Sequence, residues 1–167
     1  MSVSRHYKNF SVYNQWANLR LYDAVSEVSH VDYKADRGMF FQSFEGTLNH
    51  LLVTDHMCLT RITGEGFCPQ RLDEVLHDDF DVLRNARAEL DQKIINTIDA
   101  LSDGEYGKKY TFMTVSNGEF SSVLNVMLAH FFNHHTHHRG QIHNCLSQVK
   151  IEPPVLDFLY FMREKGE

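Results

Sequence analysis

Eleven histidines occur in this 167-residue chain, and six of them fall between His130 and His143. The run His130-Phe131-Phe132-Asn133-His134-His135-Thr136-His137-His138-Arg139-Gly140-Gln141 interleaves imidazoles with bulky apolar residues, so it belongs to the fold and is not an expression tag. On an α-helix, residues four apart are separated by about 40° around the axis and ~6 Å along it, so His134 and His138 can aim at one point. Neutral imidazole is a common ligand for zinc, nickel, iron and copper. His130 continues the series, but it stands ~12 Å along the axis from His138, too far for all three to share one ion at ~2.1 Å. A third ligand must come from another segment. His6, His30, His50, His56 and His77 are the candidates; His6 precedes the first helix, and His30 and His77 fall in predicted loops. Spacing leaves His50 and His56 tied.

The elements that must position these rings are helical. Apolar residues at three- and four-residue steps predict a first helix from about Tyr7 to Val28, with Phe10, Trp16, Leu19, Leu21, Tyr22 and Val25 on its stripe. A loop over 30–42 precedes Ser43, a candidate N-cap for a second helix over Phe44–Ile62. Gly64, Gly66 and Pro69 interrupt the pattern before a third helix carrying Phe80 through Leu101. Tyr110, Phe112 and Val115 then alternate with polar residues, and Asn117-Gly118 supplies the types a type I′ hairpin turn needs. A fourth long helix runs from Ser122 to about Val149, and Pro153-Pro154 opens a short C-terminal segment with Leu156, Leu159 and Phe161. The expectation is one all-α domain spanning residues 1–167, a four-helix bundle with a short hairpin or extended loop before its fourth long helix and a short C-terminal helix.

Three stretches resemble the DinB family over nearly the whole chain. Tyr13-Asn14-Gln15-Trp16-Ala17-Asn18 is similar to that family's first helix, and Gly46-Thr47-Leu48-Asn49-His50-Leu51-Leu52, with Asp55 and Arg61, to its second. Asn133 to Gln141 matches a signature of HxxxH followed by Arg-Gly-Gln, with an additional histidine at 135, and Pro153-Pro154-Val155-Leu156-Asp157 resembles the usual ending. The resemblance implies a ligand triad of His50, His134 and His138 holding one divalent transition metal, nickel or zinc, in an open site of a bundle that often forms homodimers. Relatives by fold include thiol-dependent S-transferases and a mycothiol-dependent isomerase. The implied activity is therefore that of a thiol S-transferase acting on a small-molecule substrate with a low-molecular-weight thiol cosubstrate; metal-assisted hydrolysis is a further option. The alternative is a non-enzymatic metal-dependent binding or stress-response protein.

Each motif has a plainer reading. His134 and His138 could be surface histidines on a polar face. His130 reads as a structural residue or one that orients a ligand, and His135, His137 and His143 read as solvated or at an interface. Arg139, Gly140 and Gln141 suit close helix contact and hydrogen bonding to the ligands, or a structural role alone. Two ExxH strings, Glu27 to His30 and Glu74 to His77, sit at a helix end and in a loop, the wrong places for a ferritin-like di-iron centre. Cys58, Cys68 and Cys145 are odd in number and lack CxxC spacing, which argues against a disulfide framework; Cys58 and Cys145 lie in apolar helical stretches that suit buried, inert thiols, and Cys68 sits in a loop with no identified base beside it. A net charge of −6 without a basic run disfavours nucleic acid. No apolar stretch approaches a signal segment or a membrane span, so the expected address is the cytoplasm with no membrane partner.

Overall fold

The computed structural model describes residues 2–115 and 118–166. Helix α1 spans Val3–Val25, and its first turn is capped by Ser2, whose hydroxyl accepts from Arg5 N at 3.2 Å. That cap starts the helix four residues earlier than the apolar stripe predicts. Leu19 lies on the exposed side, and the buried face is completed by Asn14 and Asn18 among Ala17, Leu21 and Tyr22. The segment predicted as loop contains a short helix α2, His30–Lys34, whose cap Ser29 accepts from Asp32 N. Too short to show a period, it is set by its cap alone.

Helix α3, Phe44–Thr63, begins where Ser43 Oγ accepts from Gly46 N at 3.0 Å. It ends at Gly64, whose φ of +77° supplies the left-handed residue that commonly closes a helix. Helix α4, Phe80–Asp99, is capped by Asp79, and a 3-10 turn over Asp103–Gly107 follows, fixed by a reciprocal Ser102–Glu105 box. Strands β1, Lys109–Thr114, and β2, Gly118–Val123, pair antiparallel with Phe112 opposite Phe120. The hairpin is present as expected; Asn117 lies outside the described residues, and the predicted turn type with it. Ser122 stays in the strand, so the long helix α5 runs Leu124–Gln148, and α6 covers Phe158–Glu164.

Helices α1 and α3 each pack against both α4 and α5, giving a four-helix ring. Phe44, Leu48, Leu52, Leu83, Leu128 and Ile142 are fully buried in it. Each contributes on the order of 1.5–3 kcal/mol through burial. An aromatic cluster of Tyr13, Trp16, Phe158 and Phe161 seats α6 against α1. Among the described residues, no helix is long and apolar enough to cross a membrane.

Candidate metal centre

Helix α5 presents His134 and His138 on one side, as the four-residue spacing requires, and α3 brings His50 to meet them. His134 Nε2 lies 3.2 Å from His50 Nε2 and 3.1 Å from His138 Nε2. One nitrogen from each ring falls within 4.8 Å of the others. The outer nitrogens of two rings are already committed. His50 Nδ1 donates to Leu72 O at 2.7 Å, and a carbonyl oxygen can only accept, so the proton sits on Nδ1. His138 Nδ1 donates to Gln141 Oε1 at 2.8 Å, while the Gln141 amide donates to His137 Nε2, which fixes the orientation of that amide. The Nε2 lone pairs of His50 and His138 therefore both point at the space beside His134. Converging lone pairs with donors held behind them are the chemistry of a cation site, and the residues present fit a divalent transition metal.

Local packing explains how His50 comes to face α5. Gly46 lies in the first turn of α3, where an added Cβ would sit 2.1 Å from Phe41 O. The bare glycine lets the preceding loop fold back, and Gln42, at φ +67°, completes the reversal. Phe41 then stacks on the His50 ring at 3.7 Å between centroids and 17° between planes. On the neighbouring position, Asn49 binds the loop ahead of α4 twice, accepting from His77 N and donating to His77 O.

Burial keeps all three rings neutral, which is the ligating form. Desolvation pulls His50 down to about 4 and His134 to about 3, the latter also by its imidazole neighbours, and it lowers His138 as well. In metal-free protein the unfolded chain takes up protons on these rings from about pH 6.5 downward, whereas the folded one does so only near 4 and 3. Stability contributed above pH 6.5 is thus lost as the pH falls towards 4. Denaturation midpoints recorded with chelator present should decline across that window, and a His50→Ala/His134→Ala double variant should show a shallower decline.

A second polar constellation crosses the interior and joins all four long helices. His135, fully buried, donates from Nε2 to Asp55 Oδ1 at 2.6 Å, and Arg87 donates to Asp55 Oδ2 at 2.5 Å. Arg87 also pairs with Asp91 at 3.0 Å, Asn14 and Asn18 donate to Asp91, and Arg139 donates to both asparagine oxygens. Burial alone would raise the Asp55 pKa, but His135 and Arg87 beside it hold the carboxyl below its usual range. His135 was expected at the surface; its position four residues after Phe131 and seven before Ile142 instead places it on the buried stripe. Gln141 supports His138, and Arg139 ties α5 to α1, while a Cβ on Gly140 would meet nothing within 4 Å, so close helix contact does not explain that glycine.

The other histidines stay apart from the centre. His56 packs edge-on against Phe67 on another side of α3, His6 and His30 are exposed, and His77 serves through its backbone. His130 is exposed with its ring 5.7 Å from that of His134, His137 is exposed, and His143 is half-buried. Burial pushes the Cys58 thiol up to about 12, which suppresses its reactivity. Alongside the triad opens a cavity of about 560 Å³, walled by α3, α5 and the hairpin, into which His50, His134, Met57, Leu72, Met127 and Phe131 project.

A sequence model of the DinB family matches residues 1–167. The chain is 22% identical over 162 residues to Protein DinB of Bacillus subtilis strain 168, covering 93% of each protein. Its fold is similar to the crystal structure of a DinB-like protein from Bacillus cereus ATCC 10987, with a TM-score of 0.65 at 11% identity over 83% of this chain and 89% of that one.

Proposed function

Since this chain belongs to the DinB family, we propose that it holds one divalent transition metal, nickel or zinc, on His50, His134 and His138 and acts as a metal-dependent thiol S-transferase. The observation that carries this reading is the approach of His134 Nε2 to within 3.2 Å of His50 Nε2 and 3.1 Å of His138 Nε2, with the far nitrogens of His50 and His138 tied to acceptors. When bound, the ion supplies Lewis acidity that eases loss of a proton from a thiol or a water molecule. Three protein ligands leave room in a coordination shell, as catalytic sites require.

The chain's own residues do the rest. Leu72 O and Gln141 Oε1 hold the two flanking rings in orientation, and Phe41 covers the outer face of His50. Met57, Leu72, Met127 and Phe131 line the cavity with apolar surface that limits water beside the reacting atoms. In the transfer, the thiol sulfur forms a bond to the electrophilic carbon, its proton passes to solvent, and the leaving group departs with the electron pair of the broken bond. A protein using its ion only to brace the bundle has no need of a cavity of this size beside the ligands, which favours turnover over a purely structural or sensing role.

The test is a panel of low-molecular-weight thiols against standard electrophiles. Metal-loaded protein is expected to consume thiol and electrophile together, one for one, well above the rate of chelated protein. Equal rates for the two forms across the panel would remove the transferase reading.

A further inference from the structure

The cavity is chemically lopsided. Fifteen residues line it, and none is aspartate or glutamate. The single permanently charged group among them is Arg61, half-buried, with its guanidinium 4.4 Å over the Phe112 ring. Among the described residues Arg61 has no carboxylate within salt-bridge distance, whereas Arg87 and Arg139 are absorbed by the interior network. The cation is held in place by stacking, and its hydrogen-bond donors have no protein acceptor among the described residues.

Its position along α3 gives a length. His50, Thr54, Met57, Cys58 and Arg61 follow one another at three- and four-residue steps and line the same cavity. Eleven residues of helix separate the Cα atoms of His50 and Arg61 by ~16 Å. Side chains reaching in from both ends shorten the free span to on the order of 10 Å. Between them the wall is mostly apolar, formed by Met57, Leu72, Met127 and Phe131, with Thr54 and Ser122 as small polar interruptions.

We infer that the cavity binds an amphipathic monocarboxylate of intermediate chain length, its charged end on Arg61, its chain along the apolar wall and its reacting end at the three histidines. A guanidinium matches a carboxylate through two parallel hydrogen bonds, and one cation balances one negative charge. A phosphate dianion at the Arg61 end would bring a second charge with no second permanently charged side chain in the lining to offset it, at a high desolvation cost. Apolar walls favour a hydrocarbon chain over a sugar or peptide, whose polar groups would go unpaired there. This inference rests on reading the histidines as the reacting centre, but the anion end can be tested without them.

Isothermal titration of metal-free protein with octanoate, butanoate and octan-1-ol separates the contributions. Octanoate should bind at least tenfold more tightly than either of the others. Arg61→Gln should erase the preference for octanoate over octan-1-ol and leave octan-1-ol unchanged, and Arg61→Lys should retain part of it. Unchanged octanoate affinity in Arg61→Gln, or equal binding of octanoate and octan-1-ol by the original protein, overturns the inference. Octan-1-ol binding serves as the control that the variants are folded with the cavity intact. A parallel titration of cobalt-loaded protein with 8-mercaptooctanoate should give a sulfur-to-cobalt absorption band. Arg61-dependent octanoate binding without that band would preserve the anion end and count against the metal reading, so the two failures are distinguishable.

Discussion

A His138→Ala protein purified without a histidine tag is expected to carry less than a tenth of the divalent metal of the unaltered chain, while its helical content stays the same. Removing one of three ligands leaves two imidazoles, and structural zinc sites gain on the order of 10–16 kcal/mol from their full set, which puts one ligand at a hundredfold to thousandfold in affinity. The fold should survive because the His138 ring has hydrogen-bond contacts only with Gln141 and His134 among the described residues and takes no part in the Asp55–Arg87–Asp91 network. Gln141→Ala should weaken uptake by only about 10–100-fold, the usual effect of a residue that orients a ligand. Elemental analysis and competition with a chelator measure both. Equal metal content in His138→Ala and the original chain would take His138 out of the site.

Asp55→Ala should do the reverse and damage the fold first. The substitution strips Arg87 of one carboxylate and His135 of its only described hydrogen-bond partner, all at positions no more than 3% exposed. Breaking a buried pair by deleting one partner costs about 3–5 kcal/mol, because the remaining charge stays buried. A domain is stable by about 5–15 kcal/mol in total, so this is a large share, and in a chain of this size it lowers the melting temperature by roughly 6–20 °C. Asp55→Asn, which keeps an acceptor but loses the charge, should fall between the two. Denaturant titration with metal removed reads the effect without any contribution from the ion; a loss below 1 kcal/mol would show that the network is not a principal support.

These two outcomes give His138 of α5 to the three-histidine cluster and its neighbour His135, through Asp55 of α3, to the support of the fold, a division the sequence discloses unevenly. The His134–His138 pair was legible because four residues make slightly more than one helical turn, a relation independent of the rest of the fold. His50 and His56 could not be separated by spacing, since α3 is buried on most of its circumference at Leu51, Leu52, Val53 and Met57, and its apolar pattern does not say which side meets α5. The family likeness singled out His50, and the geometry brings His50 to the pair and leaves His56 elsewhere. His135 was misread because a histidine scores as polar in a periodic pattern, while the carboxylate that makes its burial tolerable lies 80 residues away on α3. Arg139 met its partners only through the packing of α1 on α5. Short elements escaped for a different reason: α2 is set by one capping side chain and the 3-10 turn by the Ser102–Glu105 pair, and such local caps carry no periodicity.

The carbonyl of Leu72 belongs to an irregular surface segment, and the same segment is gripped one residue earlier on α3 by Asn49. An imidazole without that carbonyl is free to carry its proton on either nitrogen, and only one of the two tautomers offers electrons inward. The placement of a solvent-facing stretch of chain thus selects what His50 shows to the interior. Change in that stretch, remote in sequence from the histidine run, acts on the centre without touching any ligand.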